Sequence, residues 1–403
     1  MFKHKIINDP VYDGFLSLDD PVILSVLEHP YFQRQRRIKQ LGLTCLVYPG
    51  AMHTRFSHML GALNLMERAL DVLRQKGVDI SDDECQGAKL AILLHDIGHG
   101  PFSHTSEHVI VRAHHEDLTD LFMQRMNTNG QLDLAIDIFR NTYHKHFLHQ
   151  LVSSQLDMDR LDYLGRDSFF TGVSEGIVGT HRIISMLNVN DDQLVVDQKG
   201  IYSIEKFIIS RRLMYWQVYM HKTVIAADQL LLAILRRARQ LPPSDVASPL
   251  SFFLHNDISL SDFNANPDLL DSFAAIDDDD VMVAIKQWKH SDDPLLASLS
   301  SALLSRRLPA IRFLPSQQEA DALVCRLKPL FDSLTPLPEG SPHLLTSGIL
   351  RNRSYDFADN EIKILFKDGS CLPISQASDQ LDHHFLEKTV VKHFVCFPKQ
   401  CFR

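Results

Sequence analysis

An apolar run from Ala88 to Leu94 leads straight into His95-Asp96-Ile97-Gly98-His99-Gly100-Pro101, and this junction constrains the fold more than any other stretch of the chain. Ser81 and Glu84 precede it as a capping-box signature, in which a serine hydroxyl and a carboxylate three residues later satisfy each other's backbone amides at a helix start. Two glycines and a proline within four positions then demand an abrupt change of backbone direction. The pattern predicts a helix that carries a histidine and an aspartate to its own end, with His99 and His104 on the loop that follows.

Other segments read as helices as well. From Arg55 to Gln75, Met59, Leu63, Met66, Leu70 and Leu73 recur on one helical face, and Gly77 supplies the stop. Lys145 to Asp167 predicts a further helix, striped by Leu148, Val152 and Leu156. Ile204 to Gln240 predicts a long one ended by Pro242-Pro243, on which Arg211, Tyr215, Tyr219 and Lys222 share a face. A hairpin is expected over Leu194 to Tyr202, turning at Lys199-Gly200. The acidic run Asp277 to Asp280 reads as a solvated face or the first turn of a helix. After Pro336 the texture changes: EIKILFKDGSCLPIS alternates around Asp368-Gly369, and VVKHFVCF is rich in β-formers. The expectation is a mainly α fold with a small hairpin, divided into a core over residues 1–240, a helical extension over 241–335 and a small C-terminal α+β region over 336–403.

With 403 residues, 45% of them hydrophobic, the chain can bury a substantial core. Forty-one basic against 50 acidic residues give a formal charge of -9, so nucleic acid is not an expected partner. Six cysteines without a CxxC pair fit a reduced compartment. Neither a signal pattern nor an apolar run of membrane-spanning length is present, which excludes a membrane partner on these grounds and predicts a cytoplasmic protein.

The chemistry is read from residue types. A catalytic metal needs imidazole and carboxylate ligands that different elements bring together, with a position left open for water. Neighbouring side chains on a helix diverge by about 100°, so His95 and Asp96 can share one ion only at the helix surface, with other helices completing the shell. His99, His104, Glu107, His115 and Glu116 follow closely and supply several histidine–carboxylate pairs suited to proton transfer near neutral pH.

RFSHMLG, LLHDIGHGPFSH and LDMDRLDYLGRD, in this order, resemble the signature of the HD-domain phosphohydrolase superfamily. That resemblance implies a divalent metal (Fe, Mn, Zn, Ni or Mg) on His58, His95, Asp96 and Asp159, with Asp157 the rival for the fourth place. KIINDP, FQRQRRIKQLG, YPGAMHTRFSHMLG, HDIGHGPFSH and DRLDYLGRD together resemble the deoxynucleoside triphosphate triphosphohydrolase branch, from about Lys5 to about Leu230. The resemblance implies a deoxynucleoside triphosphate substrate and water attack at its α-phosphorus. His115 with Glu107 would be the catalytic histidine–acid pair, Glu116 a neighbouring carboxylate, and His104 would face the bond to the sugar oxygen. Arg55, Arg160, Arg211 and Lys222 are the cations for a triphosphate, while Gln40, Leu41, Tyr163, Asp167 and Tyr219 match sugar-pocket positions. Arg160 stands where the family more usually has lysine, and Tyr215 where close relatives have histidine. Lys5, Asn8, Gln33 and Arg36 resemble part of a guanine-nucleotide effector site, although Glu28 replaces an aspartate there. A homodimer or higher homo-oligomer is the family expectation. Two other readings stay open: an HD-type nucleotidase or phosphodiesterase acting on a smaller ester, and a nucleotide-sensing protein without turnover.

Overall fold

The computed structural model describes residues 4–12, 15–242, 248–334, 341–353, 355, 361–381 and 389–399. The architecture is mainly α. An N-terminal hairpin, β1 (Lys5–Asn8) and β2 (Phe15–Leu18), leads into the short helices α1 (Pro21–Glu28) and α2 (Pro30–Arg34). Next come α3 (Arg55–Gln75), α4 (Asp82–Leu94), α5 (Glu107–Ile110), α6 (His115–Met126), α7 (Asp133–Phe139), α8 (His146–Val152), α9 (Met158–Thr171) and α10 (Thr180–Ser185). A hairpin of β3 (Leu187–Asn190) and β4 (Gln193–Asp197) precedes α11 (Ile201–Met214) and α12 (Lys222–Gln240). Five further helices follow: α13 (Pro249–His255), α14 (Leu260–Ala265), α15 (Asp268–Ala274), α16 (Asp278–Trp288) and α17 (Pro294–Leu304). The remainder comprises β5 (Ala310–Leu314), α18 (Gln317–Leu334), α19 (Ser341–Leu344), β6 (Thr346–Arg353), β7 (Lys363–Leu365), β8 (Cys371–Pro373), α20 (Ile374–Ala377) and β9 (Thr389–Phe397).

Three helices frame the site. The apolar stripe predicted for α3 is buried from Met59 to Leu73, and the helix packs against both α4 and α9. At the start of α4 the capping box is formed in both directions, Glu84 N to Ser81 Oγ at 3.1 Å and Ser81 N to Glu84 Oε2 at 2.8 Å. These same side chains lock the first turn against α8's approach, since Glu84 also accepts from Lys145 Nζ at 2.8 Å and Tyr143 Oη at 2.7 Å.

Three local readings need correction. The helix expected over Lys145 to Asp167 is two helices, because Asp157 turns out of the helical path and caps α9, accepting from Arg160 N at 2.6 Å and Ser154 N at 2.8 Å. The hairpin expected at Lys199-Gly200 lies earlier: Asp191 and Asp192 both take positive φ, 49° and 58°, the geometry of a two-residue hairpin turn, and Leu187 pairs with Val196. Lys199-Gly200 instead forms a 3₁₀ turn into α11. The single helix expected from Ile204 to Gln240 is broken by a π turn at Tyr215–Tyr219 and bends by 54°, so Arg211 and Lys222 lie on different helices and the shared face does not extend across the break. Asp277 to Asp280 forms the first turn of a helix with a capping box, one of the two readings expected, and Asp278 is buried there.

The late strands build two sheets. β4 pairs in parallel with β7, Val195 opposite Lys363, giving the order β3-β4-β7-β8 with the expected turn at Asp368-Gly369. β9 lies between β5 and β6, antiparallel to both. Gly348 in β6 leaves room for the Phe394 ring, which a Cβ would meet at 2.7 Å. The Pro242-Pro243 stop and the change of texture at Pro336 fall partly or wholly outside the described residues. Among the described residues no single helix is long and apolar enough to cross a membrane.

Candidate metal centre and its surroundings

The end of α4, the first turn of α3 and the first turn of α9 meet in the core, and each delivers side chains that the family resemblance singled out. His58 Nε2 lies 3.0 Å from Asp159 Oδ1, and His95 Nε2 lies 3.3 Å from the same oxygen. Asp96 closes the group, its Oδ1 3.5 Å from His95 Nε2 and its Oδ2 3.7 Å from His58 Nε2. Ligand atoms of His58, His95 and Asp96 all lie within 4.8 Å of one another, a spacing that one ion could bridge.

The outer nitrogens decide what the inner ones can do. His95 Nδ1 is 2.6 Å from the carbonyl oxygen of Ile92; a carbonyl only accepts, so Nδ1 carries the proton and the neutral ring offers its lone pair at Nε2. His58 Nδ1 donates to Asp162 Oδ2 at 2.7 Å and is fixed in the same sense. Both Nε2 atoms are buried without a well-formed hydrogen bond, an arrangement costly for a protein group but suited to a cation ligand. Burial lowers the His58 pKa, yet bonds and charges from Asp159 and Asp162 overcome it and push it up to about 10. His95 is raised against burial by Asp96 and Asp159. A field that holds protons so firmly between buried imidazoles also favours a divalent cation at the same point. The donor set of two imidazoles and two carboxylates therefore fits a divalent metal.

Asp157, the rival for the fourth place, is spent on capping α9 and on Arg160 Nε at 3.1 Å. Arg55 is buried, donating from Nε to Ser103 Oγ at 2.8 Å and from Nη1 to Asp96 Oδ2. That contact, with His95 and His99 beside it, holds the Asp96 carboxyl well below its ordinary range although burial opposes it.

The loop after His95-Asp96 is pinned from three sides. Thr119 Oγ1 donates to His95 O and accepts from Gly98 N, both at 3.0 Å, and Gln35 Nε2 donates to Ile97 O at 3.0 Å. Gly98 cannot be exchanged, because a Cβ there would lie 2.1 Å from His115 O and 2.4 Å from Thr119 N. His99 stacks on His115 with centroids 3.9 Å apart, and His104 meets both rings edge-on. Burial and the Arg55 charge push His99 well below the usual histidine range, so it stays neutral. His115 donates from Nδ1 to Glu107 Oε1 at 2.8 Å, while His104, 69% exposed, lies 3.5 Å from Glu107 Oε2. The Glu107 carboxyl is desolvated, which would raise its pKa, but the two histidines depress it far below the usual glutamate range. Beside them a cleft of about 600 Å³ runs from His95, Asp96, Asp159 and His115 past Glu116, which is exposed, to Arg140 and His149.

The remaining predicted residues gather elsewhere. Along α9, Asp159, Tyr163 and Asp167 recur every four residues, so one helix face runs from the His-Asp cluster to Asp167. Asp167 accepts from Tyr219 Oη at 2.7 Å, and Tyr219 meets Tyr163 and Tyr215 edge-on at 6.3 and 5.2 Å. The charges of Arg211 and Arg160 both act on the Tyr163 hydroxyl. Gln40 sits nearby in sequence and space to His53, donating its amide to the His53 carbonyl at 3.0 Å, and its side-chain Oε1 is buried without a partner. Leu41 packs against the core beside it. Lys222 is exposed at the first turn of α12. Of the effector-like residues, Lys5 pairs with Glu28 at 2.9 Å, and Arg36 donates to Gln33 at 2.9 Å while lying over the Phe56 ring.

Three participants escaped the sequence reading. His53 donates from Nε2 to Asp167 Oδ1 at 2.8 Å, fully buried and stacked on Phe170. Asp162 holds His58, and Asp278 accepts the backbone amides of Phe102 and Lys39 at 2.7 and 3.0 Å. The i, i+3 spacing of Asp159 and Asp162 was the available signal for the second of these; for His53 and Asp278, whose partners are over 100 residues away, there was none.

Comparisons with known proteins agree with this geometry. Residues 55–167 match the HD domain and residues 178–251 the HD associated region. An uncharacterized protein of Bacillus subtilis, YwfO, is 32% identical over 327 residues, which are 78% of this chain and 74% of that protein. The deoxynucleoside triphosphate triphosphohydrolase SAMHD1 homolog of Dictyostelium discoideum is 31% identical over 54% of this chain, which spans only 46% of that relative's length. A crystal structure of a phosphohydrolase from Bacteroides thetaiotaomicron superposes with a TM-score of 0.90 at 45% identity, covering 98% of this chain and 100% of that one. Matching domain, matching architecture and a buried His-Asp cluster lead to one statement: the chain belongs to the HD-domain phosphohydrolase family.

Proposed function

We propose that this phosphohydrolase is a deoxynucleoside triphosphate triphosphohydrolase, hydrolysing the bond between the α-phosphorus and the sugar oxygen to yield deoxynucleoside and inorganic triphosphate. The observation that carries the reading is the α9 face on which Asp159, Tyr163 and Asp167 follow one another, with Tyr219 and His53 closing on Asp167. It sets polar and aromatic side chains suited to a sugar beside the His-Asp cluster. The name of the Dictyostelium relative supports the same substrate class.

A divalent ion on His58, His95, Asp96 and Asp159 supplies a Lewis acid for a phosphoryl oxygen and a more acidic water. The protein's own residues account for the rest. Glu107 fixes His115 through Nδ1, which leaves Nε2 free to exchange a proton, and its carboxylate stays ionised beside that ring. Water attacks the α-phosphorus and passes its proton to Glu116 on the cleft wall, while the bond to the sugar oxygen breaks and that oxygen takes one proton from protonated His115, with His104 beside it. Arg160, Arg211 and Lys222 meet the triphosphate charge, with Arg55 behind them. Gln40, Leu41, Tyr163, Asp167 and Tyr219 receive the sugar, and crowding by the Tyr219 ring disfavours a 2′-hydroxyl.

Arg55 is already engaged by Asp96 and Ser103, and this favours a second reading, in which a smaller phosphate ester that needs fewer cations is the substrate. Product identity separates the two. Purified protein with Mn²⁺ or Mg²⁺ and a panel of deoxy- and ribonucleotides is expected to release triphosphate and deoxynucleoside; monophosphate with pyrophosphate overturns the proposal. A homodimer or higher homo-oligomer, and a nucleotide effector at Lys5, Asn8, Gln33 and Arg36, belong to the same reading. Light scattering with and without added guanine nucleotide tests both.

A further inference from the structure

We infer that Asp9 and Tyr12, on the loop between β1 and β2, are positioning residues of the metal centre and act on His58 through Arg166 and Asp162. The inference rests on the metal reading of His58, His95, Asp96 and Asp159, and on a buried relay that leads away from it.

Asp162 is fully buried, and a carboxylate offers about four acceptor positions. Every one is used. Oδ2 takes His58 Nδ1 at 2.7 Å and Arg166 Nε at 2.8 Å; Oδ1 takes Tyr12 Oη at 2.8 Å and Arg166 Nη2 at 3.0 Å. The Arg166 guanidinium, also fully buried, then forks a second time onto Asp9, Nη1 to Oδ1 at 3.1 Å and Nη2 to Oδ2 at 2.5 Å. Two carboxylates thus grip adjacent edges of one planar group, sharing Nη2, and the outer one comes from the N-terminal hairpin loop. Asp9 is itself braced, because its Oδ1 accepts the Val11 amide at 3.0 Å in a local turn.

Space for the relay is built into α3. Gly61, one turn after His58, has no side chain where a Cβ would lie 2.0 Å from Asp162 Oδ1 and 2.1 Å from Arg166 Nη2. Stability alone does not account for such an arrangement. A buried charge pair loses its hydration and is commonly matched or exceeded by apolar packing of the same volume. What the relay does provide is direction. With Oδ2 of Asp162 immobilised, the His58 ring keeps its Nδ1 proton on that oxygen and turns Nε2 toward Asp159, where a cation would take the place of a second proton. Neither Asp9 nor Tyr12 needs to touch the ion to set that angle. Burial and the Asp162 charge also hold the Tyr12 hydroxyl in its protonated form, so it remains a donor.

The test reads metal directly and uses no nucleotide. Apo protein, its Asp9→Asn and Tyr12→Phe variants, and an Arg237→Gln control that breaks the fork to Asp293 away from the site are titrated with Mn²⁺ against a competing chelator. Their Co²⁺ absorption spectra are compared as well. Asp9→Asn is expected to weaken metal binding about 10- to 100-fold, Tyr12→Phe by less, and both to alter the Co²⁺ spectrum; Asp9→Glu recovers part of the loss. Arg237→Gln lowers the apo unfolding midpoint and leaves metal affinity unchanged. Parent-like affinity and spectra in Asp9→Asn and Tyr12→Phe overturn the inference, as does a loss no larger than that of Arg237→Gln. Should Asp9→Asn fail to fold, Tyr12→Phe decides alone. A parent protein that binds no divalent metal overturns the metal reading together with the inference, whereas an unexpected nucleotide product touches neither.

Discussion

Asp278 Oδ1 accepts the backbone amide of Phe102 at 2.7 Å, tying the first turn of α16 to the loop that follows His95-Asp96. Phe102 and Ser103 both hold positive φ, 53° and 47°, a strained conformation for residues with side chains, and Ser103 in turn supports Arg55. Asp278→Ala leaves two amides, those of Phe102 and Lys39, without their acceptor. The expected cost is on the order of 3 kcal/mol, with a fall in turnover; Asp278→Asn retains one acceptor and loses about half as much. Chemical denaturation alongside steady-state rates checks both.

Asp96→Ala removes a carboxylate that faces His58, His95 and His99 and that binds Arg55. Bound metal and turnover are both expected to disappear while the fold persists. Elemental analysis is decisive, since a full complement of metal in the variant would mean that the ion sits elsewhere.

Glu84 provides a pH-dependent test of the scaffold rather than of the chemistry. Partial burial raises its pKa, but Lys145, the Ser81 amide and Tyr143 lower it further, to about 2. Its unfolded value is about 4.3. A depressed carboxyl contributes stability that is present above the unfolded pKa and is lost as pH falls through the folded one, so the window runs from about pH 4.3 down to about 2. Its side chain is 6% exposed, and the contribution at neutral pH is on the order of 3 kcal/mol. Urea denaturation across that window should show a steep loss in the parent and a flatter one in Glu84→Gln.

Tyr219 touches Asp167 through its hydroxyl and Tyr163 through its ring. If the ring excludes a 2′-hydroxyl, Tyr219→Ala lowers the deoxy-to-ribo ratio of kcat/KM by about 10-fold or more, and Tyr219→Phe preserves it. An unchanged ratio in Tyr219→Ala assigns the discrimination to other residues.

Much of this fold was legible where a pattern was local. The α3 stripe ends at Gly77 as expected, and Ser81 and Glu84 close as a capping box because both partners lie within four residues. Legibility failed where a single side chain competes with a continuous pattern. Asp157 interrupts an apolar stripe that runs on through Leu156 and Leu161, and the π turn at Tyr215–Tyr219 breaks a segment with no proline or glycine to mark it. In the candidate site, residue types and order brought out His58, His95, Asp96 and Asp159. Asp162 meets His58, and His53 meets Asp167, across more than 100 residues, pairings that no local pattern encodes, although the i, i+3 step from Asp159 marks Asp162 itself.

The parallel pairing of β4 with β7 bears on how the molecule is made. Val195, already opposite Asn188 in β3, acquires its second neighbour only when Lys363 has left the ribosome, long after the His-Asp helices have emerged. Until then β4 is a nascent edge with unpaired amides and carbonyls, open to pairing with another chain, and closing so long a loop is slow. Synthesis interrupted between these two strands would therefore release a chain whose His-Asp helices can assemble while its sheet stays open and adhesive.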